Sequence, residues 1–295
     1  MTQETIIDIH PHIIAGDTER YPYAPLGGVR SNWSAERPFS IQQYIEEMDA
    51  AGVSAAAMVQ SATTYGYDNS YVADSAAEFG DRIVGVYTVD IGAPDAVDVI
   101  DRWRKRGMAG LRLFGAGSTV QSTGEWMIAP NTYPVWDHMA DIDMSVCIQT
   151  TKIGLAVVEE ILQRYPEVNI ILDHLGRPDL TDGAPYANAS PLWKLARFDN
   201  LHLKITPRTF DLSEKAPASP DSFFPKLVAE YGADRLAWGS NFPANTGSLK
   251  DLVDQGHRCF ASLGSADRAK IWAGTSARLY PQLAKALDNK KVTTA

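Results

Sequence analysis

The stretch Thr5–His12, T-I-I-D-I-H-P-H, decides how the rest of the chain is read. Ile6, Ile7 and Ile9 make a short β-branched run of the kind that forms a buried strand, and it ends in two histidines two residues apart. Side chains alternate along a strand, so the pattern predicts Asp8, His10 and His12 on one face and Ile7 and Ile9 on the other. A pair of neutral imidazoles presented in this way either ligates a divalent metal or supplies hydrogen bonds and proton transfer in a closed pocket. The plainer alternative is two histidines at the edge of a surface loop.

Seven further apolar runs repeat the strand signal: Ala55–Gln60, Ile83–Val89, Gly110–Phe114, Met144–Gln149, Asn169–His174, Leu201–Ile205 and Arg235–Ser240. Helical segments separate them. Ser40 can cap a helix with apolar positions at Ile41, Tyr44, Ile45 and Met48, stopped by Gly52; others are expected over Tyr71–Phe79, Pro94–Arg106, Tyr133–Asp141, Gly154–Arg164, Pro191–Arg197 and Ser222–Tyr231. Closing helices run through Leu249–Leu263 and on to Leu287. Eight strands, each followed by a helical segment, are the pattern of an α/β fold of the (β/α)8 TIM-barrel type. A doubly wound open sheet would want a glycine-rich phosphate loop after its first strand, and D-I-H-P-H offers none.

The 295 residues suit one such barrel, and no low-complexity linker divides them. A formal charge of -9 with no basic run argues against nucleic acid as a partner. Cys147 and Cys259 are too few for a disulfide framework and too far apart in sequence for a zinc knuckle, which fits a cytoplasmic setting. Neither a signal peptide nor a membrane span is expected. Ile13–Ser40, a loop rich in Pro and Gly that carries Tyr21, Tyr23 and Trp33, reads as a substrate wall or lid; an ordinary surface excursion or a homo-oligomer contact is the alternative.

Barrel enzymes build their sites at the C-terminal ends of the strands. Those ends carry His10 and His12, Gln60 and Ser61, Arg112, Gln149, His174, Lys204 with Arg208 beyond it, and Asn241. Arginine's planar fork suits a carboxylate, so Arg112 and Arg208 point to a small anionic substrate, whereas a structural ion pair inside the barrel is the other reading of Arg112 and of Lys204. His138 and His257 sit in helical patterns and read as packing residues, as do Trp103, Trp136, Trp193 and Trp272.

With D-I-H-P-H, M-V-Q-S (Met58–Ser61), G-M-A-G-L-R-L-F (Gly107–Phe114), I-L-D-H-L-G-R-P-D (Ile171–Asp179), L-K-I-T and R-L-A-W-G-S-N-F-P (Arg235–Pro243) in order, the chain resembles the amidohydrolase superfamily, in its amidohydrolase-2 branch and the 2-pyrone-4,6-dicarboxylate lactonase group. The resemblance implies that His10, His12 and His174 form the polar floor of the site. Metal-using relatives add a strand-5 histidine and a strand-8 aspartate; Gln149 and Asn241 stand there instead. A tightly bound metal is therefore not expected, and a Zn or Mn site made of His10, His12 and His174 is the alternative. The lactonases use the strand-8 carboxylate as base, a role closed to Asn241. His174 is the preferred substitute, next to an Asp173 expected to face away from it, while Asn241 orients water or the substrate carbonyl.

These readings converge on a hydrolase opening a carboxylate-bearing lactone in aromatic or sugar-acid catabolism. His10, His12, His174, Asn241 and Lys204 are the candidate catalytic residues; Arg112, Gln60, Ser61, Gln149, Arg208 and Tyr21 are the candidate substrate contacts. Two rivals stand beside this reading: a metal-dependent decarboxylase or hydratase on the same scaffold, and a binding protein descended from an enzyme.

Overall fold

Parallel strands paired strictly in sequence order form the core of the protein in a computed structural model that describes residues 4–117 and 119–288. They are β1 (Ile7–Asp8), β2 (Ala55–Val59), β3 (Ile83–Tyr87), β4 (Met108–Phe114), β5 (Val146–Gln149), β6 (Ile170–Asp173), β7 (Leu201–Ile205) and β8 (Leu236–Trp238). The Ile9 amide donates to the Trp238 carbonyl at 3.3 Å, which joins the last strand to the first and closes a (β/α)8 barrel.

Two packed layers follow from alternation along these strands. Outward residues such as Leu111, Leu113, Leu203 and Trp238 pack against the helices, and inward residues such as Ala57, Val86, Cys147, Ile171 and Ala237 fill the cylinder. The chain's last described turns plug the N-terminal end. Tyr280 reaches inward so closely that a Cβ on Gly110 would lie 2.9 Å from its ring, and its hydroxyl lies 3.4 Å from Cys147 Sγ.

The first crossover helix forms as the sequence predicts. Ser40 and Gln43 make a reciprocal capping box at the start of Ile41–Ala51, and Gly52 ends the helix with φ 72°. Its inward stripe is Ile41, Tyr44 and Met48, all buried. Among the described residues no helix is long and apolar enough to cross a membrane.

The opening strand alternates as predicted from Ile7 to Ile9 and departs from the prediction at His10. Ile7 and Ile9 both pack inside the barrel, while Asp8 faces outward and accepts from the Tyr44 hydroxyl at 2.8 Å. The Asp8 carboxylate also accepts from the His10 amide at 3.0 Å and the Ser240 amide at 2.8 Å, so it ties β1 to the end of β8. The reason is the strand's length: it spans only Ile7–Asp8 and bends at Ile9, after which the period-2 rule no longer governs. His10 is thereby carried inward instead of sharing a face with Asp8.

Candidate active site

Polar groups at the C-terminal ends of the strands converge on a cavity of about 410 Å³ at one mouth of the barrel. Its floor and walls include His12, Arg112, Gln149, His174 and Asn241, drawn from five strand ends, with Arg177 from the loop after β6 and Arg208 from the helix Pro207–Ser213 after β7. Ser61 and Thr63 line it from the β2 side. Trp33 is the first loop's contribution, stacked on His12 with ring centroids 5.3 Å apart. That loop is fixed as a wall: Ala24, Leu26 and Ser31 amides donate to Thr64, Ala62 and Thr63 carbonyls.

Beneath the cavity lies an acid that the sequence reading turned the wrong way. Asp173 faces into the barrel and is fully buried, where Lys204 Nζ lies 2.9 Å from Oδ1 and Arg112 Nε donates to Oδ2 at 2.8 Å. His10 Nδ1 is 3.4 Å from the same Oδ1. Burial alone would raise this carboxyl, but Lys204, His10 and Arg112 together hold it well below the ordinary carboxylate range. His174 does not face the opposite way from it. A backbone φ of +54° at His174, followed by +55° at Leu175 and +57° at Arg177, swings the chain back over the barrel mouth. Such left-handed geometry in bulky residues costs energy and is concentrated at functional sites.

Lys204 and His10 are both fully buried and stand under the cavity, not among its lining. Lys204 is engaged with Asp173 and with Cys147 Sγ at 3.4 Å. His10 lies edge-on to His12 and His174, with centroids 5.0 and 4.8 Å away. Arg112 does both things the sequence left open: it is an ion-pair partner of Asp173, it donates to Gln149 Oε1 at 2.8 Å, and it still lines the cavity.

Two predicted contacts lie elsewhere. Gln60 is buried with its amide donating to the Gly66 and Asp68 carbonyls, which shapes the loop after β2. Tyr21 donates to Asp74 at 2.8 Å and lines a different surface hollow, anchoring the first loop. Ordinary roles hold for His138, which is 2.9 Å from Asp101, and for His257 against the Trp272 ring.

Tautomers follow from partners. A carbonyl only accepts, so the 2.8 Å contact of His12 Nδ1 with Val59 O puts the proton on Nδ1 and leaves Nε2 as the bare nitrogen. Burial and the Arg112 charge push the His12 imidazolium down to about 3. His174 Nδ1 meets Thr206 Oγ1 at 2.8 Å; its imidazolium is likewise held well below the usual range by burial, and Arg208, Arg112 and Arg177 add to that effect while Asp173 opposes it. Asn241 donates from Nδ2 to Asn245 Oδ1 at 2.5 Å.

Charge in the cavity is one-sided. Three arginines line it and no carboxylate does. Arg112 is paired with Asp173, but Arg177 and Arg208 have no ion pair among the described residues, and the Nε of each is buried without a partner. Sequence reasoning missed Arg177. Its only signal is the segment L-G-R-P-D after the sixth strand, which carries no code for a side chain turned back over the mouth.

The amidohydrolase family profile matches residues 7–282. This chain belongs to the amidohydrolase family. It is 26% identical over 288 residues to an L-fucono-1,5-lactonase of Burkholderia ambifaria, covering 93% of this chain and 94% of that one. To a 2-pyrone-4,6-dicarboxylate hydrolase of Comamonas testosteroni it is 24% identical, covering 85% and 80%. An amidohydrolase structure from Burkholderia multivorans with bound zinc superposes with a TM-score of 0.74 at 20% identity, covering 94% and 99%.

The residues of this amidohydrolase do not reproduce a four-ligand metal site. Among the described residues no three or more His, Cys, Asp or Glu side chains are arranged to hold an ion. Gln149 Oε1 already accepts from Arg112, and Asn241 is bonded to Asn245, so the strand-5 and strand-8 positions offer amides with other partners.

Proposed function

We propose that the protein is a hydrolase that opens a small lactone carrying a carboxylate, without a tightly bound metal. The observation that carries this reading is the pair of guanidinium groups, Arg177 and Arg208, turned into the cavity with buried and unpartnered Nε atoms. Half-buried guanidinium groups with no ion pair carry a desolvation cost, and a carboxylate bonded bidentately is the ligand that offsets it. The lactonase and hydrolase names of the two curated relatives support the reaction class.

In this reading Arg177 and Arg208 hold the substrate carboxylate and fix the ring over His174. Thr206 Oγ1 accepts the Nδ1 proton of His174, leaving the Nε2 lone pair for the attacking water. Water oxygen bonds to the lactone carbonyl carbon as its proton passes to Nε2. The free edge of Arg112 and the Asn241 amide stabilise the oxyanion, Arg112 being held in place by Asp173 and Gln149. Collapse breaks the ring C–O bond, and the proton on His174 passes to the departing ring oxygen, giving a hydroxy acid. His12, with its bare Nε2, orients the water and cannot donate to the oxyanion while neutral. Lys204 and His10 position Asp173 and the imidazoles above it.

Substrate charge also tunes the base. Burial is the main cause that lowers the His174 imidazolium and the three arginines add to it, so a bound carboxylate removes only the arginines' share and leaves His174 a better base than in the empty cavity.

The test is to incubate purified protein with carboxylate-bearing lactones and follow acid release at constant pH, with His174→Ala as control. Ring opening that falls at least about 100-fold in the variant supports the reading. Release of carbon dioxide, or binding with no turnover, contradicts it.

A further inference from the structure

Phe114, the last residue of β4, lines two cavities at once. On one side is the arginine-lined site. On the other is an open cleft of about 860 Å³ at the same mouth of the barrel, which no part of the proposed chemistry uses. The chemistry of the two is opposite. The cleft is walled by Leu26, Tyr67, Val120, Trp126 and the second face of Phe114, and its one charged lining residue is Asp90.

We propose that this cleft is the subsite for an apolar substituent, aryl or branched alkyl, on the lactone. The inference rests on the reading of the site as one for a carboxylated lactone. Three observations carry it. The two cavities share Phe114 as a wall, so a substituent on a ring held in the arginine-lined cavity has the cleft as its neighbouring space past Phe114. The arginines collect on one side of Phe114 and Asp90 stands on the other, so an anionic end is drawn inward and repelled from the cleft, which sets a single orientation. The cleft is also built by segments held in place. The Leu26 amide donates to the Ala62 carbonyl at 2.9 Å, a Cβ on the neighbouring Gly27 would meet Val120 at 3.3 Å, and the Gly117 amide donates to the Val120 carbonyl at 2.8 Å. Tyr67, 42% exposed, is one of the few large apolar side chains left open to solvent, and it stands at this cleft.

Phe114 itself is held from two sides. Its ring sits under the Arg112 guanidinium, 5.2 Å from its carbon, and a Cβ on Gly117 would come within 2.4 Å of the ring's far edge. A larger residue at position 117 would therefore displace the wall between the two cavities.

The experiment compares kcat/KM for two carboxylated lactones that differ only in a phenyl substituent, using wild type, Tyr67→Ala and Val120→Glu. In wild type the phenyl compound is expected to show a KM at least about tenfold lower. In both variants that advantage falls by at least about fivefold, with the unsubstituted lactone unchanged within about twofold and the melting temperature unchanged. Tyr67→Ala removes an exposed ring, and Val120→Glu places a charge in the cleft without touching the arginine site. The inference is overturned if wild type turns over the two lactones equally, or if the phenyl advantage survives both variants. Failure to open the unsubstituted lactone at all would instead overturn the reading of the site.

Discussion

Arg112 donates from Nε to Asp173 Oδ2 across 2.8 Å inside the barrel, with neither side chain open to more than a trace of solvent. The same carboxylate meets Lys204 at 2.9 Å, so one buried acid is shared between two buried cations directly below the substrate cavity. Removing one partner of such a cluster leaves an uncompensated buried charge, which costs about 3–5 kcal/mol. Asp173→Asn is therefore expected to lower the urea midpoint by an amount of that order and to abolish turnover. A variant as stable as wild type would show that Asp173 does not anchor the floor.

The opposite sign is expected at the two unpaired arginines. Burial lowers both guanidinium groups, and Arg177 adds its repulsion to Arg208, so each is charged at a cost. Arg177→Gln and Arg208→Gln should raise KM about 10- to 100-fold, the loss of a charge-assisted hydrogen bond. They should also raise stability by on the order of 1 kcal/mol, as happens when a strained functional group is removed. Calorimetry beside steady-state kinetics checks both; a destabilised variant would assign these arginines to the fold.

Stability should fall on acidification. His12 is neutral in the fold, with its imidazolium pushed down to about 3 from 6.5, and His10 and His174 are shifted in the same direction. The unfolded chain binds more protons between those values, so stability is fully present above about pH 6.5 and is lost as pH falls toward 3. Urea midpoints measured from pH 8 to 4.5 should decline below pH 6.5, and His12→Gln should flatten the decline. An unchanged slope in that variant would contradict a buried neutral His12.

Chelation should leave turnover in place. With Gln149 bonded to Arg112 and Asn241 to Asn245, the cavity lacks the imidazole and carboxylate that complete a metal site in related barrels. Activity after dialysis against a strong chelator should stay within about twofold of the untreated protein. Loss restored by zinc or manganese would show that the cavity works with a bound metal.

The barrel and most of its rim were legible because β2 to β8 obey simple rules. Ser61, Arg112, Gln149 and Asn241 lie in or just past the final residues of apolar runs, where alternation and the fold's polarity place them. Alternation failed where the backbone stopped being a strand. β1 is two residues long: Ile7, Asp8 and Ile9 still alternate, but past the bend at Ile9 His10 turned inward to Asp173 instead of sharing the face of Asp8. His174 lines the cavity as expected, but the positive φ values from His174 to Arg177 turn the chain back over the mouth, which brings in Arg177 and leaves Asp173 beneath the cavity instead of facing away. Gln60 occupied a strand end as predicted, yet loop carbonyls present only in the folded chain took up its amide.

We propose that the unpaired arginines in the cavity select an anionic lactone. The most direct measurement is kcat/KM for one lactone bearing a free carboxylate against the same lactone with that group converted to its primary amide. Two charge-assisted contacts of roughly 1.5 kcal/mol each predict a preference of at least about 100-fold for the carboxylate. Equal rates, or a preference for the neutral compound such as a plain sugar lactone would show, would contradict it.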